Sequence, residues 1–134
     1  MSNDYRFLGS ARPPSPAQLL EQCYAGAYHA LENGDDTGAA RVFGIMALLD
    51  PRDARSWIGL AVCKERGGDS LAASGLYRLG AIVARDKGFC HLGRARTLRK
   101  MGRQAAADAA LDAAESSASD LRLLTAIAEE RMSS

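Results

Sequence analysis

Three glycines, Gly34, Gly68 and Gly102, recur at one equal interval along the chain. Ala27, Ala61 and Ala95 keep the same interval, as do Ala39, Ala73 and Ala107. Phe43, Tyr77 and Leu111 share it with a bulky apolar side chain, and Met46, Gly80 and Ala114 with a small or flexible one. A fixed period of this kind marks a supersecondary unit that cannot bury its apolar face alone and gains a core only by stacking on its neighbours. Composition decides what the unit is made of. The 134 residues include 25 Ala and 16 Leu but only 10 Val, Ile and Thr together. Ala and Leu lose little side-chain entropy in a helix, so the units are helical and the chain is all-α.

The period and its columns resemble the tetratricopeptide repeat, two antiparallel helices joined by a tight turn. The middle unit, WIGLAVCKERGGDSLAASGLY, carries the likeness best. Trp57, Gly59, Leu60 and Ala61 fall on its first helix, Gly68 in the turn, and Ala73 and Tyr77 on its second. Ala61 and Ala73 allow close approach of the two axes, which a larger side chain would hold apart. Tyr77 fills the gap between one repeat and the next, worth about 1.5–3 kcal/mol of apolar burial. Gly68 supplies the positive φ that reverses the chain. Pro51 is tolerated where one helix has ended and another begins. The fold expected is three tandem repeats in a right-handed superhelical solenoid with a C-terminal capping helix.

Helices are predicted near 17–32, 36–49, 53–66, 70–83, 87–100 and 104–117, with Asp53 as an N-cap. A seventh, over SDLRLLTAIAEERM, starts from a cap at Ser119 and is amphipathic through Leu121, Leu124, Ile127 and Ala128. It covers the open flank of the last repeat. The organisation predicted is a flexible arm over 1–16, with Pro13, Pro14 and Pro16, then a repeat domain over 17–134. The repeats fall at about 20–53, 54–87 and 88–118, and the capping helix at 119–132.

Stacked hairpins curve, and the first helix of each lines the concave side. The residues one turn apart on those helices are Tyr24, Tyr28 and Leu31, then Ile58, Val62 and Glu65, then Phe89, Leu92, Arg96 and Arg99. The groove they predict is aromatic and aliphatic at its start and cationic at its far end. Two neighbouring tyrosines in an exposed concavity call for a cover, either a bound peptide or the chain's own arm or second copy. Between Arg78 and Arg103 stand eight Lys and Arg against one acid, Asp86. No aromatic platform is interleaved among them, so a solvated basic face is favoured over a nucleic-acid patch.

Other functions find little support. His29 and His91 sit on ordinary helical faces, and Cys90 and His91, adjacent on a helix, point about 100° apart and form no nucleophile–base pair. Gly67-Gly68 lacks the Lys and Ser/Thr of a phosphate loop. Asp35 and Asp36 suit a turn better than a metal. Cys23, Cys63 and Cys90 contain no C-x-x-C pair and read as reduced thiols in a cytosolic protein. The opening MSNDYRFLGSARPPSP has no apolar core of a signal peptide, and no apolar run reaches the length of a membrane span. No catalytic residue, metal or cofactor is expected.

Repeats of this type that bind C-terminal carboxylates carry a clamp of Lys, Asn and Arg on the groove. The matching positions here hold Tyr24, Tyr28, Gly59, Phe89 and Gly93, so that adaptor class is disfavoured. What LLEQCYAGAYHALENGD, AARVFGIMALLDPRDARSWIGLAVCKERGGD and GLYRLGAIVARDKGFCHLGRARTLRKMGR resemble is the class II chaperone family of bacterial type III secretion systems. The resemblance runs over about residues 18–116. It implies a cytoplasmic, non-enzymatic chaperone whose concave face holds an extended N-terminal segment of a hydrophobic translocator. Tyr24, Tyr28, Leu31, Ile58, Val62, Phe89 and Leu92 would line the pockets, with Arg96 and Arg99 favouring an acidic or carbonyl-rich end of the client. A homodimer stays open as a second partner. The rival on the same scaffold is an adaptor, or a chaperone for another secretion component such as a needle or filament subunit.

Overall fold

A computed structural model of the chain describes residues 12–133. Among them are seven helices and no strand: α1 Pro16–Glu32, α2 Asp36–Leu49, α3 Ala54–Arg66, α4 Ser70–Val83, α5 Gly88–Lys100, α6 Gln104–Ser116 and α7 Leu121–Met132. Each helix packs on the next, and α3 touches α5 and α5 touches α7, so first helices line up beside first helices. This is the expected all-α repeat solenoid. Most of the arm expected over 1–16, residues 1–11, lies outside the described residues. None of the seven helices is long and apolar enough to cross a membrane.

The turns show why the glycine column exists. Gly34, Gly68 and Gly102 have φ of 76°, 83° and 77°, the left-handed region that L side chains rarely adopt. The N–H groups that follow reach back in the same way each time, Asp35 to the Ala30 carbonyl, Asp69 to Lys64 and Arg103 to Leu98. The first helix thereby satisfies its last carbonyls as the chain reverses. Asp35 and Asp69 then accept from the N–H groups of Gly38 and Ala72 and cap the second helix. Ser15 caps α1 in a reciprocal pair with Gln18.

Asp53 caps α3 as expected, accepting from the Arg55 N–H at 3.0 Å. It also takes two bonds from the Arg55 guanidinium, at 2.8 and 3.1 Å. The same guanidinium reaches Glu21 on α1, one repeat earlier, at 2.9 Å. The Arg55 guanidinium holds the Asp53 carboxyl below its ordinary 3.8. A group with a lowered folded-state pKa stabilises fully above its unfolded value, and loses that contribution as pH falls through the folded one. Asp53→Asn is therefore expected to melt below the parent at pH 7. The gap should close in melts run from about pH 4 downward; a gap that is constant with pH would contradict this.

Between repeats, a bulky side chain meets a glycine. A Cβ on Gly59 would lie 2.3 Å from the Phe43 ring, and one on Gly93 would lie 2.3 Å from the Tyr77 ring. In both pairs the ring stands on the helix just before the one that carries the glycine. At the last interface the knob shrinks to Leu111 and its partner grows to Ile127, both in one buried cluster. Large faces small at two interfaces and medium faces medium at the third, which keeps the axes close throughout. The three cysteines are free, Cys90 buried and Cys23 and Cys63 half-buried. Burial pushes the Cys90 thiol up to about 11, so it is an inert apolar filler against Gly80.

The capping helix departs from expectation in two ways. Its N-cap is Asp120, which accepts from the Leu123 N–H at 2.9 Å, rather than Ser119. Its inward stripe is Leu123, Ile127 and Glu130, whereas Leu121 is 77% exposed and Leu124 and Ala128 also face solvent. Ile127 belongs to both stripes; the inward face is centred on Leu123, Ile127 and Glu130 because Leu123 and Ile127 pack with Leu92 and Leu111, and Glu130 meets Arg96 and Arg99.

Candidate functional site

The first helices repeat in register, so the concave face can be followed column by column. One column runs Tyr24, Ile58, Leu92; the next runs Tyr28, Val62, Arg96; the third runs Leu31, Glu65, Arg99. A concavity of about 470 Å³ opens over the second and third repeats. Its apolar side is Ile58, Val62 and Phe89, all half-buried, with bare backbone at Gly93. Its polar side is the Tyr77 hydroxyl with Glu65, Arg96, Arg99, Lys100 and Glu130. Six of the predicted residues thus come together: Ile58, Val62, Glu65, Phe89, Arg96 and Arg99.

Leu92 does not join them. It is 1% exposed and packs in the core with Leu98, Leu111, Leu123 and Ile127. The equivalent Ile58 stays partly open beside the Ala61–Ala73–Tyr77 cluster, whereas Leu92 shares one buried cluster with Leu123 and Ile127 of α7. Seven of the thirteen residues of α5 are buried, so this helix is enclosed on several sides and has no single wet face.

The first repeat contributes a separate stretch of the surface. Tyr24 is half-buried and packs with Leu31 on the cluster around Phe43, and the Arg55 guanidinium lies 4.6 Å above its ring. That stacking covers the ring from within the chain. Tyr28 is 53% exposed, its ring centroid 6.2 Å from that of Tyr24. It stands in the column of Val62 and Arg96, one repeat ahead.

The charged end is more compensated than the run of arginines suggests. Arg96 Nε donates to Glu130 Oε1 at 2.9 Å, Arg99 pairs with the other oxygen, and Arg99 also donates to the Glu130 carbonyl at 2.8 Å. Burial pushes the Glu65 carboxyl up, opposed by Lys100 and Arg96. Burial and the nearby Glu65 likewise raise the Tyr77 phenol. From α7 the Arg122 guanidinium lies 5.8 Å over the Phe89 ring. Such a surface can bury an apolar side chain and hydrogen-bond a main chain beside it. His29, exposed and bonded to Asn33, and buried Cys90 both lie outside its lining.

Tyr77, Lys100 and Glu130 are groove residues that the sequence reading missed. The repeat interval itself marks one of them, since Glu130 follows Arg96 by one full repeat.

No protein-family model matches the chain. The low calcium response locus protein H of Yersinia pestis is 33% identical over 67 residues, which are 50% of this chain and 40% of that protein's length. Among solved structures the chain is similar to the type III secretion translocator chaperone SycD of Yersinia enterocolitica. The TM-score is 0.77 at 25% identity, covering 86% of this chain and 89% of SycD. SycD has also been solved with a peptide of the translocator YopD, and that structure matches at a TM-score of 0.68. PcrH of Pseudomonas aeruginosa, in complex with the chaperone binding region of PopB, matches at 0.73 and 24% identity, covering 89% of this chain and 96% of PcrH.

Proposed function

We propose that this chain is a cytoplasmic type III secretion chaperone that holds an extended segment of a hydrophobic translocator in its concave groove. It does no covalent chemistry, takes no cofactor and binds no nucleic acid. The observation that carries the reading is the apolar strip Ile58–Val62–Phe89 on the concave face of a solenoid with the SycD fold. A translocator carries membrane-seeking segments that aggregate in water. Side chains of an extended segment laid along the groove lose apolar surface to this strip, and that burial holds the client unfolded and soluble. Tyr28, in the same column one repeat ahead, extends the strip toward the first hairpin.

The test is co-expression with a candidate translocator from the same gene neighbourhood, followed by copurification and size-exclusion with light scattering. A soluble stoichiometric complex is expected. Tyr28→Ala should weaken it about tenfold, or ~1.4 kcal/mol, with helicity unchanged because the ring is half-exposed. A client that stays insoluble beside a well-folded chain would sink the translocator reading and favour a needle or filament subunit as the partner. The mass of the free chain in the same run reads self-association. Ile45, Leu48, Leu79 and Ile82, exposed on α2 and α4 at matching repeat positions, offer a surface for it.

A further inference from the structure

Glu130 is the one acidic side chain on the described helices that is buried, 8% exposed, and it lies at the groove. It follows Arg96 by one full repeat, so α7 stands where a fourth repeat would place its first helix. Glu130 is the next member of the column Tyr28, Val62, Arg96. Leu123 and Ile127 fix α7 in the core, so the carboxylate is delivered on an anchored helix. It meets Arg96 at 2.9 Å and pairs with Arg99, whose guanidinium also holds the carbonyl of the same residue. The anion site that two arginines would form at the end of the groove is therefore already filled from within.

We propose that Glu130 sets the charge selectivity of the groove, an inference that rests on the client-binding reading above. An acidic client residue that reaches the Arg96–Arg99 pair has two options. It can displace Glu130, which strands a buried carboxylate, or sit next to it at like charge, and both are costly. A neutral residue meets neither cost and can offer its carbonyl to the exposed part of Arg96. The groove thus turns away acidic segments even though its sequence is rich in arginine. Glu130 is a specificity residue in this scheme.

Two measurements test it on the full chain. First, two synthetic peptides of the translocator's chaperone-binding segment, one with Gln and one with Glu at the residue nearest Arg96, are titrated by calorimetry. The wild type should prefer the Gln peptide about tenfold, and Glu130→Gln should remove or reverse that preference. Glu130→Asp keeps the charge and should behave as the wild type, which a purely structural role would not predict. Unchanged preference in Glu130→Gln would overturn the proposal. Second, thermal melts compare sodium sulfate with sodium chloride at matched ionic strength. Glu130→Gln, with its arginines vacated, should gain from sulfate more than the wild type does, and equal gains would overturn the proposal. If neither peptide binds either protein, the client reading fails, and the sulfate melts still report whether Glu130 occupies the arginine pair.

Discussion

Phe43→Ala is expected to cost the domain about 3–5 kcal/mol and to lower its melting temperature more than any substitution on the groove. The ring is 2% exposed and fills the space above Gly59, the contact that joins the first repeat to the second. A glycine cannot expand into the void, and the flanking helices are held by the turns at Gly34 and Gly68 and by the Arg55–Glu21 tie. Most of the cavity therefore stays open. Urea denaturation followed by circular dichroism reads the loss. Phe43→Ala combined with Gly59→Leu should recover part of it, because Leu111 and Ile127 show a repeat interface made from two mid-sized side chains. A loss below about 1 kcal/mol would mean that the repeats slide together to close the gap.

Val62→Glu is expected to abolish client capture while the solenoid persists. Val62 is half-buried at the centre of the apolar strip, between the columns of Ile58 and Glu65. A carboxylate there stands beside Glu65, itself already pushed up by burial. It would have to lose its hydration when a client side chain covers it, a cost of several kcal/mol that Arg96, already paired with Glu130, and Lys100 offset only in part. Copurification should fall by at least about a hundredfold, roughly 2.7 kcal/mol. Circular dichroism should show the helices intact. Retained binding would move the client contact away from the strip and toward Tyr24 and Tyr28.

Much of this is legible in the sequence, for a physical reason that differs from residue to residue. The glycines at positive φ, the aspartate caps and the alanines at the crossings act on their own backbone or their nearest helix, so their meaning is local and their period exposes it. Ile58, Val62 and Phe89 can be placed on the concave face from sequence because the repeat register carries one unit's geometry to the next. Gly93 and Tyr77 are harder, since each is informative only once the two are known to touch. Glu130 is hardest: apolar spacing alone picks Leu121, Leu124 and Ile127 as the inward face of its helix, and a charged side chain on the inward face shows itself only once Arg96 and Arg99 are known to meet it.

The sequence by itself determined the repeat, its helices and turns, and the curved face on which a partner would lie, because those depend on backbone torsions and on spacing along the chain. Only the tertiary structure decided what the final repeat exposes. Ile58 and Leu92 hold the same position in successive units, yet one lines the groove and the other is sealed in the core. Arg96 and Arg99, free in the sequence reading to take an acidic client, instead hold Glu130. Both outcomes follow from where α7 settles. α7 continues the repeat register, Glu130 following Arg96 by one full repeat, but what its inward face carries and touches is settled by packing against α5 and α6.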